Sequence, residues 1–126
     1  MTKEIKSFTD LLAWKEAHIF TVNIYKITKA YPKEETYGLI SQIRRSSSSI
    51  MANISEGFGR FHYKDKIKFY HQSRGSLSET QNHLYLSKSL NYINEKDLLS
   101  MIDKNKNLGQ LINGLINSTK KQLNKS

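Results

Sequence analysis

Apolar residues recur at helical spacing along most of the chain, and the pattern is clearest over residues 39–60. Leu39, Ile43, Ser47, Ile50, Ile54 and Phe58 fall within one stripe of a helical wheel, with Ser47 as its small member. Gln42, Arg45, Ser49, Asn53 and Glu56 fall on the opposite side. Residues 42–60, QIRRSSSSIMANISEGFGR, therefore read as one helix with an apolar and a polar side, and the other elements are placed around it. Its serine run gives only moderate helix propensity. Side chains that small let another backbone come close and leave room for Arg44 and Met51 at the stripe's edges. The wet face serves equally as a solvated back or, through its arginines and Asn53, as a contact surface for RNA or protein. The sequence leaves both readings open.

The flanking segments repeat the helical period. Residues 1–8 read as a flexible arm pinned by Phe8, with Thr9 or Asp10 as cap of the first helix. Leu11, Trp14, Ala17 (or His18), Val22, Tyr25 and Thr28 mark that helix, and Leu12, Ile19, Phe20, Ile24 and Ile27 broaden its apolar face. So wide a face fits a helix with more than one neighbour, and Trp14 is its large anchor. Pro32 ends it. Lys33, Glu34 and Glu35 are expected to open the second helix, with the acids at its positive end and Gly38 inside it as a close-packing position. Gly57 and Gly59 punctuate its end near Phe58, and Glu56 and Arg60 have the spacing of an ion pair.

A third helix spans roughly residues 63–91. Tyr63, Tyr70, Leu77, Leu84 and Asn91 recur every seven, with small Ser73, Thr80 and Ser87 beside them, so the seam is wide and mixed. Gly75 costs helix propensity unless close packing needs it. Asn94 caps a fourth helix over about 95–119, on Leu98, Ile102, Leu108 (or Gly109), Ile112, Leu115 and Thr119, helped by Leu99, Leu111 and Ile116. Residues 120–126, KKQLNKS, read as a flexible basic tail. Four amphipathic helices on short links, without strand patterns, predict an all-α, antiparallel up-down-up-down four-helix bundle over residues 9–119.

Composition adjusts this picture in two ways. The chain has 126 residues, no cysteine and a single proline, which suits one helical domain without disulfide or thiolate chemistry. No apolar run follows the first lysines and none approaches a membrane span, so a cytoplasmic protein with no membrane partner is expected. The formal charge is +9, from 20 basic and 11 acidic residues, spread along the chain but weighted to its second half. Such a field attracts polyanions. Residues 64–74 carry Lys64, Lys66, Lys68 and Arg74, a basic patch on the first half of the third helix.

Catalytic chemistry finds no foothold. The four histidines, His18, His62, His71 and His83, belong to no metal-ligand spacing. Glu79 and His83 are one residue too far apart for the Glu-x-x-His pair of a di-iron bundle. The serines of the 46–49 run and of GSLSE have no base in reach by spacing, and the GxG at Gly57 follows no strand. No cofactor, metal site or catalytic residue is expected. Glu79 is an acid in a basic stretch, and counting outward from the turn near Arg60 brings it within about one turn of Arg44 or Arg45. A pair of Glu79 with Arg44 or Arg45 that fixes helix register is the expectation.

FTDLLAWKEA (8–17), YPKEETYGLISQIRRSSSSI (31–50), NISEGFGR (53–60), FYHQSRGSLSETQNHL (69–84) and NYI (91–93) resemble the 23S rRNA intervening-sequence proteins. The resemblance covers nearly the whole domain, and QIRR, NISEGFGR and GSLSE in that order make it specific. It implies a four-helix bundle that assembles into homo-oligomers, typically pentamers, with no enzymatic activity. The family is also similar to the accessory protein of diversity-generating retroelements, a basic pentamer that binds nucleic acid and a reverse transcriptase. The marked family positions fall here on Trp14, Tyr37, Gly38, Gln42, Arg44, Arg45, Asn53, Glu56, Gly57, Gly59, Arg60, Gly75, Ser76, Leu77 and Glu79. Two departures are Met51, where the family often has proline, and His62, where it commonly has a capping serine.

The resulting expectation is a non-catalytic, self-associating basic bundle that contacts RNA, DNA or a ribonucleoprotein. Its phosphate contacts would be Arg44, Arg45, Arg60, Lys64, Lys66, Lys68 and Arg74. Trp14, Gly38, Asn53, Glu56, Gly57, Gly59 and Glu79 would hold the structure. The alternative is a scaffold with a protein partner and no physiological nucleic acid.

Overall fold

The computed structural model describes residues 4–126 as four helices: α1 (Leu12–Thr28), α2 (Leu39–Phe58), α3 (Tyr63–Ser89) and α4 (Glu95–Lys125). They form an antiparallel bundle in which α2 packs most extensively on α3, and α1 and α4 complete the square. Residues 1–3 of the expected arm lie outside the described residues.

The core is the inner stripe of each helix. Ala13, Ala17, Phe20 and Ile24 of α1 meet Leu39, Ile43, Ile50 and Ile54 of α2. Tyr70, Leu77 and Leu84 of α3 and Leu98, Ile102, Leu108, Ile112 and Ile116 of α4 close it. Between α2 and α3 the core is lined with hydroxyls. Ser46 Oγ lies 2.7 Å from Thr80 Oγ1, and Ser73 Oγ donates to the Ile50 carbonyl at 2.7 Å. Thr21 of α1 donates to the Ser47 carbonyl at 3.0 Å. The small side chains bring the helices together, and their polar atoms are satisfied across the seam.

The helix ends differ from expectation in four places. Lys33–Glu35 is a separate 3-10 turn and α2 begins only at Leu39, so Gly38 precedes the helix rather than lying inside it. The signal at Glu35 is still real, because its Oε1 accepts from the Leu39 amide at 3.2 Å and its Oε2 accepts from the Tyr92 hydroxyl at 2.8 Å. Neither Thr9 nor Asp10 caps α1. Ser7 and Asp10 instead form a capping box on a 3-10 turn at Phe8–Asp10, which Phe8 ties down through an edge contact with Trp14 at 5.3 Å. α3 stops at Ser89, where Asn91 takes a left-handed φ of 63°. The Tyr92 and Asn91 amides then reach the carbonyls of Ser87 and Lys88 at 2.9 and 3.0 Å, a Schellman closure. Finally, α4 passes Thr119 and continues through the basic residues to Lys125. Asn94 caps it as expected, accepting from the Asp97 amide at 2.8 Å.

Candidate nucleic-acid interface

The seven nominated cations fall into two groups. Arg44 and Arg45 lie in the first third of α2, at least 15 residues from Arg60, which is about 22 Å along a helix axis. Arg44 is turned toward α1: its Nε donates to Thr28 Oγ1 at 2.9 Å, its Nη2 to the Tyr25 carbonyl at 3.3 Å, and its guanidinium covers the Tyr25 ring at 4.7 Å. Glu79 is instead 3.6 Å from His83 on its own helix. Glu79 pairs with neither Arg44 nor Arg45. The axial register behind the expected pair is nevertheless right, because Ser46 meets Thr80 and Ser73 meets Ile50. The rotation about the axis separates the side chains.

The second group gathers at the α2–α3 turn. Lys66 is committed to structure, with its Nζ donating to the Phe58 carbonyl at 2.6 Å and its ammonium 5.3 Å from the Phe58 ring. Burial pulls its pKa below the ordinary lysine value. Arg60 pairs with Glu56 at 3.2 Å and covers the Phe69 ring at 4.5 Å. Arg74 donates to Asn113 of α4 at 2.8 Å and lies 3.1 Å from His71 Nδ1. Arg45, Lys64 and Lys68 are exposed or nearly so and carry no hydrogen bond or ion pair.

Folding adds cations that sequence reading set aside as a tail. The last turn of α4 lies against the first turn of α3, where Leu123 and Ser126 share a cleft with Tyr63 and Lys64. Gln122 and Lys125 flank Tyr63 in a second, shallower depression. Lys120 is close enough to His71 that, after burial and Arg74, its charge helps hold the imidazole below its ordinary pKa. Residues 60–74 and 120–126 together contain eight lysines and arginines against the single acid Asp65, or +7 of the formal +9. At the opposite end, residues 29–38 and 88–97 contain four basic and four acidic residues and balance to zero. The antiparallel pairing of α3 with α4 thus brings two separate basic runs into one patch, while Glu56 and the first turns of α1 add acids to the same end and Arg44 and Arg45 add cations toward the other.

The structural nominations are also distributed. Gly57 lies buried against Tyr70, whereas Gly59 caps α2 with an ordinary φ of −77°. Asn53 donates to the Ser49 carbonyl of its own helix at 2.9 Å. Trp14 is half-buried and stacks on His18 at 5.0 Å. α2 passes Met51 without interruption, and His62 stands at the N-cap of α3 without a capping side chain.

Among the described residues, no group of three or more His, Asp or Glu is placed to hold a metal ion. No helix there is long and apolar enough to cross a membrane. The exposed apolar residues include Leu12, Ile19 and Val22 along the outer side of α1, and Leu99 of α4. α1 is therefore apolar on two sides, as its wide pattern suggested.

Residues 9–114 match the model of the 23S rRNA-intervening sequence protein family. No curated protein sequence matches the chain. Among solved structures, a protein of unknown function from the S23 ribosomal protein family of Bacteroides thetaiotaomicron VPI-5482 superposes with a TM-score of 0.79. The two are 24% identical over 86% of this chain and 98% of that one, a likeness of fold.

Proposed function

The chain belongs to the 23S rRNA-intervening sequence protein family, and from that premise we propose a non-catalytic, self-associating bundle whose basic end contacts RNA or a ribonucleoprotein. The observation that carries this reading is the +7 carried by residues 60–74 and 120–126, two runs that the antiparallel pairing of α3 and α4 brings together. Lysines and arginines without partners, above all Lys64 and Lys68, are free to replace the counterions of a phosphate backbone. Arg45 is equally free but stands apart on α2, while Arg44 and Lys66 hold the fold. Self-association draws support from the outer apolar residues of α1, which a lone bundle leaves in water. A pentamer is the assembly that the family resemblance implies.

The test is binding to labelled structured RNA, single-stranded RNA and duplex DNA across a salt series, with the assembly's mass recorded alongside. A Kd of about 1 μM or tighter at physiological salt is expected, beyond the ordinary non-specific range. Reversing Lys64 and Lys68 to Glu should lower the slope of log affinity against log salt by about one or more per site. Weak binding that disappears equally for all three probes would overturn the reading and leave a scaffold for a protein partner.

A further inference from the structure

We propose that the α2–α3 turn is a stacking platform for an unpaired base, so that the basic end takes single-stranded nucleic acid in preference to duplex. The inference rests on the nucleic-acid reading above and names its substrate class. Three phenylalanines lie at this turn. Phe58 and Phe69 are half-buried, and each carries a cation over its ring, Lys66 and Arg60 respectively. Phe61 is 89% exposed and carries none. Its one ring contact is the perpendicular imidazole of His62 at 5.1 Å.

A bare phenyl ring amid cations is a costly arrangement in water and a productive one against a strand. A nucleobase presents a π-face to the ring whatever its identity, while the neighbouring lysines take its phosphates. The room is present. Phe61, Tyr63 and Lys64 face Leu123 across an open cleft of about 600 Å³. Lys125 stands on the far side of Tyr63, and Lys68 lies one turn along α3 from Lys64. Asp65 opens into the same cleft, so the phosphates belong on the Lys64 and Lys125 sides. A duplex keeps its base faces stacked inside and can offer this end only its backbone, so it gains the charge attraction without the ring.

The experiment uses the full chain with labelled pyrimidine strands of RNA and DNA, about 12 nucleotides long to suit the site size of single-strand binders, and a duplex of equal length. The wild type should bind both strands more tightly than the duplex, and the two strands alike, because stacking does not use the 2′-hydroxyl. Phe61→Ala should weaken the strands by about 5- to 150-fold while leaving duplex affinity and the salt slope unchanged. Phe61→Tyr should retain strand binding. Equal loss on strand and duplex, or no loss, would overturn the platform while the charge-based reading stood. A changed assembly mass in Phe61→Ala would also overturn it, by making the ring a contact between copies. A wild type that binds none of the probes would sink both readings together.

Discussion

Three glycines with one side chain's worth of difference show how much a single position depends on its neighbours. A Cβ at Gly57 would stand 2.6 Å from Tyr70 Cε1 and 3.1 Å from the Lys66 carbonyl, in the tightest part of the α2–α3 seam. Gly57→Ala should cost about 1–3 kcal/mol through overpacking. At Gly75 and Gly114 a Cβ would meet nothing within 4 Å, and both lie inside helices on the exposed surface. Gly75→Ala should therefore stabilise the chain by about 0.5–1 kcal/mol; urea unfolding of the two variants should move in opposite directions, and a shared sign would contradict this packing. Tyr70, which excludes the Gly57 Cβ, supplies a second check. Burial raises its pKa from the ordinary 10.0 to about 12. The folded state thus favours the protonated phenol, so its contribution is complete below pH 10 and is lost as pH climbs toward 12. Tyr70→Phe should flatten the wild type's loss of stability over that window, and parallel curves would reject the linkage. The sequence could show that Gly57 and Tyr70 were special, but not that they were special to each other.

At the scale of elements the apolar stripes were legible and the helix ends were not. Ile43, Ser47, Ile50 and Ile54 are all buried, as the wheel required, because a 3.6 period repeated over twenty residues fixes a face strongly. The α4 stripe likewise placed Leu98, Ile102, Leu108 and Ile112 correctly, while Met101 and Asn105 went unnoticed beside them. Asn105 is buried because its amide donates to the Leu77 carbonyl at 3.1 Å, a partner no periodicity announces. Ends depend on single side chains acting over a distance. Glu35 caps α2 from four residues away and holds the Tyr92 hydroxyl of the α3–α4 connection, and that second contact is invisible until the bundle closes. Asn94 was the readable exception, its side chain accepting from the Asp97 amide at 2.8 Å as an N-cap, whereas Asn91, placed inside the third helix by its spacing, takes the left-handed stop. The α2–α3 seam itself makes a quantitative prediction. Ser46 and Thr80 share one hydrogen bond; whichever hydroxyl accepts in it donates its own proton to a carbonyl of its own helix, Ile43 for Ser46 or Ser76 for Thr80. Ser46→Ala and Thr80→Val should each cost about 1 kcal/mol, and the pair together less than their sum by about 0.5–1 kcal/mol. Strict additivity in a double-mutant cycle would mean that the hydroxyls do not act across the seam.

For the molecule as a whole, the basic residues 60–74 and 120–126 gather at one end with the exposed Phe61 among them, and a second set of exposed apolar side chains lies as a wall along α1. Charge counted along the chain looked merely spread, because residues 60–74 and 120–126 are far apart until α4 folds back on α3. The wall predicts how copies join. Leu12 and Ile19 are more than half exposed, so changing both to Glu costs the isolated bundle little. If α1 is the contact between copies, that double variant should keep its helical circular dichroism and fall to the mass of one chain; an unchanged mass would clear α1 of the role. Symmetry then couples wall to end. In any cyclic assembly symmetry places every subunit's basic patch at an equivalent position, so the same positive charge recurs in every copy around the axis. Their mutual repulsion opposes assembly and is screened as salt rises, since the Debye length falls from about 30 Å at 0.01 M to about 8 Å at 0.15 M. Nucleic-acid binding through the same lysines and arginines weakens over the same range, because it depends on counterion release. Salt should therefore act with opposite signs on the two processes, tightening the ring and loosening its ligand. Mass measurements and binding titrations on one salt series would read both. An assembly that loosened with salt would show that ion pairs, not the apolar wall, hold the copies together, and would turn attention from Leu12 and Ile19 to the charged rims.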